Sequence, residues 1–251
     1  MNLIGFDLEI SKALDDTQDF WAQTPFGISC AVTIEAHDGD EADAQYWAGY
    51  EPGRCTAKMT PQGVDNLIVE LYAATREGYY VVTLNGAGFD LRVLAQEAHP
   101  EMFELVKYVA LRHIDIGLCS VAEQGYMVGL KRACEGMGVV GKMEGMDGSK
   151  APVLWQGSRE DQDKVLAYCE QDVQATLNLY NAIVERGYMK WVSKAGKLNV
   201  WHPTFEQDED GTNRRMLTVA ECLELPEPNT SWMSEPRLRS SYVEWMFPHG
   251  K

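Results

Sequence analysis

Basic residues are scarce in this chain: 22 Lys and Arg face 38 Asp and Glu over 251 residues, a formal net charge of −16. Proteins that grip nucleic acid by neutralising phosphates normally carry a surplus of Lys and Arg, so that mode is excluded as the main source of affinity. Contact with nucleic acid then needs divalent cations to supply positive charge, or has to be brief and local. No apolar run approaches the roughly 20 residues that span a bilayer, which argues against a membrane partner. The start, MNLIGFDLEI, has no basic leading stretch and meets two acidic residues at once, so it is expected not to be a secretion signal. No CxxC pair occurs among Cys30, Cys55, Cys119, Cys134, Cys169 and Cys222. That pattern suits free thiols in a reducing cytoplasm better than a zinc ribbon or a disulfide framework. Neither an internal repeat nor a metal-binding spacing among the histidines is found, and the acidic runs lack EF-hand spacing. What is present, 45% hydrophobic and 10% aromatic residues, suffices for a core and excludes disorder throughout.

Asn2 to Ile10 reads as a strand, Phe26 to Ile34 as a second, and Gln45 to Ala48 as a short third. An acidic loop, Glu35 to Asp43, joins the last two, which suggests an antiparallel start. From Thr60-Pro61 the spacing changes to that of a helix, closed by Gly78, and Tyr80 to Leu84 follows as a buried strand. Phe89 to Ala98 reads as a helix that stops before Pro100, His113 to Ile116 as a short strand, and Leu118 to Gln124 and Leu130 to Met137 as helices. The strongest helix begins at Ser158 and Asp161, which resemble a capping box, and ends near Gly187. Strands first, then alternating strands and helices, predict an α/β domain with a mixed sheet over residues 1–187. Residues 188–251, rich in Trp and Pro, read as an irregular extension that packs on the domain or forms an oligomer interface.

Three groups of residues bear chemistry. Asp7 and Glu9, two apart on a strand, leave one face about 6.5 Å apart, with Phe6 and Leu8 on the other. Paired carboxylates there repel each other and are expensive to desolvate unless something neutralises them, and hard divalent metals prefer such oxygen ligands. Asp90 follows a strand and the turn Asn85-Gly86-Ala87-Gly88, beyond a strand's carboxyl end, where α/β folds place their sites. Tyr168 and Asp172, four apart on the long helix, share a face. Each also has a plain structural reading: a wet edge strand, a carboxylate favouring a helix N-terminus, an interfacial tyrosine beside a solvated aspartate.

Phe6-Asp7-Leu8-Glu9 resembles the first motif of the DnaQ-like 3′–5′ exonucleases, of the ribonuclease H-like superfamily. Asn85-Gly86-Ala87-Gly88-Phe89-Asp90, with Leu94 following, resembles the second motif, and Tyr168-Cys169-Glu170-Gln171-Asp172 the third in its Tyr-x-x-x-Asp form. Together they resemble the subgroup with four acidic residues and a tyrosine, called DEDDy. The resemblance implies a ribonuclease H-like fold and a two-metal exonuclease using Mg²⁺ or Mn²⁺. Asp7 would bridge the ions, Glu9 and Asp172 would help hold the one that carries the attacking water, Asp90 would support the second, and Tyr168 would orient the water. The implied partner is the 3′ end of single-stranded nucleic acid, DNA slightly favoured because many relatives process DNA. Asn85 and Phe89 are candidate substrate contacts. So is Lys142, on a Gly-rich loop (Gly136 to Lys142) that imitates a P-loop but has Met143 where a Ser or Thr should bind magnesium. Asp115 resembles an acidic position between the second and third motifs of many relatives and stays outside the metal set. In the tail, Arg214, Arg215, Arg237 and Arg239 beside the tryptophans are candidates to track phosphates, against the plainer role of covering the core. The competing functions are a silent binding scaffold and a structure-specific endonuclease on the same fold.

Overall fold

Alternation along residues 3–10 decides how the centre of the molecule is built. The computed structural model describes residues 1–36, 44–141, 145–146, 148–207, 211 and 213–247. In it, β1 (Leu3–Ile10) lies in the middle of a five-stranded sheet. β2 (Ile28–Ala36) pairs antiparallel with β1, with Asp7 opposite Val32, and β3 (Ala44–Ala48) pairs antiparallel with β2. A small hairpin, β4 (Tyr50–Glu51) and β5 (Arg54–Cys55), leads to helix α1 (Pro61–Arg76), capped by the Thr60 side chain. β6 (Tyr80–Thr83) then joins β1 in parallel, followed by α2 (Asp90–Glu97), α3 (Phe103–Arg112) and the two-residue β7 (Ile114–Asp115), parallel to β6. The expected mixed α/β sheet flanked by helices is therefore what the chain forms. The acidic stretch at residues 37–43 and the run at 208–210 lie outside the described residues.

Even-numbered residues of β1 (Ile4, Phe6, Leu8, Ile10) are buried with apolar residues of α1, α2 and α3. On the other face, Leu3 is buried with residues of α4 (Ile116–Gln124), α5 (Leu130–Met137), α6 (Ala151–Trp155) and α7 (Arg159–Arg186). α7 is 28 residues long, begins in the Ser158–Asp161 capping box, and ends at Gly187 in the left-handed region. It approaches β1 closely at Gly5, where a Cβ would lie 2.7 Å from Val173 Cγ1 and 2.8 Å from Leu177 Cδ1. Only glycine permits that approach, so Gly5 sets how near α7 comes to Asp7 and Glu9.

The C-terminal residues carry more regular structure than their composition suggests: hairpins β8 (Met189–Val192) with β9 (Leu198–Trp201) and β10 (Phe205–Gln207) with β11 (Arg214–Met216), then α8 (Val219–Glu224) and the single turn α9 (Ser240–Val243). Trp191 and Trp201 are buried, and Trp201 donates to Glu123 Oε2 at 2.7 Å. Arg215 lies over the Tyr80 ring and forks Nη1 and Nη2 onto Glu221, each at 2.7 Å, while Glu221 Oε2 also accepts from Thr218. The Arg215 bonds hold the Glu221 carboxyl down at about 2. A depressed folded-state value contributes stability above the ordinary 4.5, and that stability is lost as pH falls toward 2. Glu221→Gln should therefore lower stability at neutral pH by about 1–2 kcal/mol, after allowing for partial exposure. In urea titrations the gap from wild type should narrow as pH drops below that of the free carboxyl; a constant gap would show that charge is not what the pair contributes.

Candidate active site

β6 stops pairing with β1 at Gly5 opposite Val82, so β1 runs on past its parallel neighbour. Asp7 and Glu9 sit on this overhang, facing α7. Tyr168 and Asp172, one turn apart on the buried face of α7, come to the same place. Asp7, Glu9, Tyr168 and Asp172 all line one cleft of about 1340 Å³. Between them, Cys169 places its Sγ 3.5 Å from Asp7 O and 3.7 Å from Asp7 Oδ2. Burial and the adjoining Cys30 and carboxylates push this thiol well above its usual range, so it stays protonated and donates. Glu170 and Gln171 turn away, as their helical positions dictate: Glu170 accepts from Tyr46, and Gln171 donates to Gly141 O.

Asp90 joins from behind the strand. Its Oδ1 accepts from Leu8 N at 3.2 Å, replacing the ladder partner that β1 loses where β6 ends. Asp90 is buried, and desolvation raises its carboxyl to about 7 against the pull of the Leu8 and its own backbone N–H groups, with the charges of Asp115 and Asp172 adding to the rise. A buried carboxylate so placed favours any cation that reaches it. The preceding turn is held by a residue outside the expected set. Asp115, fully buried, accepts from Asn85 N at 2.8 Å and Leu118 N at 3.0 Å on Oδ1, and from Ala87 N at 2.9 Å on Oδ2. Asn85 adopts a positive φ of 85°, which an Asx side chain tolerates. Asp115 thus caps α4 and fixes the Asn85–Phe89 turn in one stroke. The signal for it in the sequence was its place immediately before the apolar start of α4 at Ile116, the capping position.

Asn85 and Phe89 also line the cleft, whereas Lys142 lies outside the described residues. The Gly-rich segment is no P-loop, because Gly136 and Met137 end α5 and Gly138 caps it. The residues between β1 and β2, unassigned in the sequence, form a wall: Trp21 carries the Arg92 guanidinium 3.7 Å from its ring centroid, and Phe20 packs on Trp21, Phe26 and Phe89. The tail also reaches the cleft, through Arg237, Ser241, Tyr242 and Glu244.

In kind the donor set suits a hard divalent ion: carboxylate and phenol oxygens, with no competing histidine. In spacing, no three His, Cys, Asp or Glu side chains among the described residues stand close enough to hold one ion together. Asp7, Glu9 and Asp172 share the cleft and are the residues that would hold such an ion. A family model of the RNase H superfamily matches residues 54–184, just over half of the chain. The chain belongs to the RNase H superfamily. Membership indicates nuclease-type hydrolase chemistry, and nucleases of this superfamily generally act with divalent metals. The match takes in Asp90, Asp115, Tyr168 and Asp172; it begins after Asp7 and Glu9 and ends before the C-terminal hairpins. No curated protein matches the chain. No helix among the described residues is long and apolar enough to cross a membrane.

Proposed function

We propose that this RNase H superfamily member is a 3′–5′ exonuclease of the DnaQ-like DEDDy kind, acting in the cytoplasm on single-stranded ends, DNA slightly favoured over RNA. The observation that carries the reading is the convergence of Asp7, Glu9, Tyr168 and Asp172 on one cleft with Asp90 bonded to the strand between the first two. Asp7, Glu9, Asp90 and Asp172 would hold two Mg²⁺ or Mn²⁺ ions, which supply Lewis-acid activation of water and neutralise charge on the phosphate. The chain's own residues do the rest. Tyr168, buried but facing the cleft, orients the attacking water through its hydroxyl. Water attacks the terminal phosphorus, the bond to the preceding 3′ oxygen breaks, and a nucleoside 5′-monophosphate leaves. Asn85 and Phe89 meet the last nucleotide.

That no three His, Cys, Asp or Glu side chains among the described residues are grouped to hold one ion favours one competing reading, a scaffold that guides nucleic acid without cutting it. Digestion of 5′-labelled single-stranded DNA and RNA with Mg²⁺ or Mn²⁺ decides between them. A ladder shortening from the 3′ end is the expected result. Internal cuts in a strand with a blocked 3′ end would make it an endonuclease, and intact strands with folded, metal-supplied protein would favour the scaffold.

A further inference from the structure

The four tail arginines sort themselves by their partners. Arg214 donates to Val184 O and Glu185 O, Arg215 is forked onto Glu221, and Arg239 donates to Cys222 O and pairs with Glu227. These three are committed to holding the tail. Arg237 lines the active-site cleft, and its one described side-chain bond goes to a neutral group, the Tyr242 hydroxyl, at 2.9 Å. No carboxylate pairs with it among the described residues. Of the other cations lining the cleft, Lys12 donates to Gln23 O on the loop between β1 and β2, and Arg92 is stacked on Trp21 with Glu244 3.9 Å away and its Nε buried without a partner.

Arg237 is also held in place before any ligand arrives. Its backbone N donates to Gly125 O at 2.7 Å, at the C-terminal cap of α4. Tyr242, which fixes its side chain, is buried against Gly88 of the second-motif turn; a Cβ there would meet Tyr242 Cδ1 at 2.7 Å. Trp245 Nε1 donates to Ala87 O in the same turn at 2.8 Å. The tail is thus fastened to the turn that carries Asp90, and what it presents to the cleft is a guanidinium with unused donors. Guanidinium donors match phosphate oxygens, and in a chain of charge −16 one fixed cation beside the carboxylates is the feature that brings a polyanion in.

We propose that the C-terminal segment is a strand clamp, in which Arg237, positioned by Tyr242, binds a backbone phosphate of single-stranded nucleic acid entering the cleft. The exposed Phe20 ring in the same cleft gives the bases a stacking face. This rests on the exonuclease reading and adds the grip on the strand, drawn from residues outside the family match.

The test is the salt dependence of binding to a fluorescent oligothymidylate, with Ca²⁺ replacing Mg²⁺ to hold the strand uncut. Wild type, Arg237→Gln and Arg54→Gln (an exposed arginine on β5, outside the cleft) are compared. Loss of one phosphate contact should lower the slope of log K against log salt by about 0.7 for Arg237→Gln, with weaker binding at low salt. Tyr242→Phe should fall between wild type and Arg237→Gln, and Arg54→Gln should match wild type. Wild-type binding with an unchanged slope in Arg237→Gln overturns the clamp and leaves the exonuclease reading standing. A wild type that binds no strand overturns both.

Discussion

Asp7→Asn should abolish hydrolysis while leaving the protein folded. The side chain stands on the overhang of β1, lines the cleft beside Glu9 and Asp172, and is half-buried, so the isosteric amide fits without repacking. What it loses is charge at the point where a metal must be held. An amide oxygen is a weaker ligand than a carboxylate, and loss of metal-borne stabilisation of the transition state amounts to at least a thousandfold in rate, on the order of 4 kcal/mol. Stability should move the other way. Without a cation the carboxylates that line the cleft repel one another, so removing one charge should leave the melting temperature of the metal-free protein unchanged or slightly higher. Mg²⁺ or Mn²⁺ should raise the wild-type melting temperature in a concentration-dependent way and raise that of the variant much less, because only a ligand that binds the folded state stabilises it. Thermal melts with and without metal, run beside the strand digestion, separate a lost ligand from a lost fold. Full activity in Asp7→Asn would remove Asp7 from the centre and with it the proposed alignment of the first motif.

How much of this was legible in the sequence follows from where each residue's instructions lie. The period-2 alternation of β1 and the 3.6-residue stripe of α7 are local signals, and they correctly set Asp7 and Glu9 on one face of a strand and Tyr168 and Asp172 on one face of a helix. The capping box at Ser158 and Asp161 is equally local, and it appears as read. Helix α3 was not legible: it begins beyond Pro100 and a 3₁₀ turn, and Phe103, Leu105, Val106 and Val109 give a stripe too short to stand out. Nor was the contribution of the loop between β1 and β2 or of the tail. Trp21 meets Arg92, Tyr242 meets Gly88, and Trp245 meets Ala87 only after the sheet has formed, since these pairs are separated by dozens of residues or more. Composition marked the tail as aromatic and proline-rich, but could not distinguish the arginine that lines the cleft from the three that hold the tail down.

Asp115 gives the largest expected effect outside the cleft itself. Both of its oxygens are buried and both face donors: Oδ1 meets the N–H groups of Asn85 and Leu118, and Oδ2 that of Ala87. Among the described residues no cation shares the work. His113, whose Nε2 lies 4.0 Å from Oδ2, is kept neutral by burial, which lowers its tendency to protonate, and its Nδ1 proton is spent on Ala110 O. Three backbone N–H groups therefore neutralise the carboxylate, and the carboxylate in turn satisfies them. Asp115→Ala would leave the buried donors of Ala87 and Leu118 and the part-buried one of Asn85 unpaired, at roughly 1–3 kcal/mol for each buried group before relaxation, for a net loss of about 3–5 kcal/mol. Asp115→Asn offers only partial rescue, because either orientation of the amide turns an NH₂ toward a backbone N–H. The damage should extend beyond stability. The Asn85–Phe89 turn leads directly into Asp90, whose bond to Leu8 N ties the second motif to the first, so a turn that relaxes carries Asp90 away from β1. Turnover measured well below the melting temperature should fall in both variants by more than the unfolded fraction explains. Urea titration gives that fraction, and amide exchange at Leu8 reports whether its bond to Asp90 has loosened. A variant that loses stability yet keeps full turnover and a protected Leu8 amide would show that the turn holds its shape without Asp115, and would reduce the residue to a helix cap.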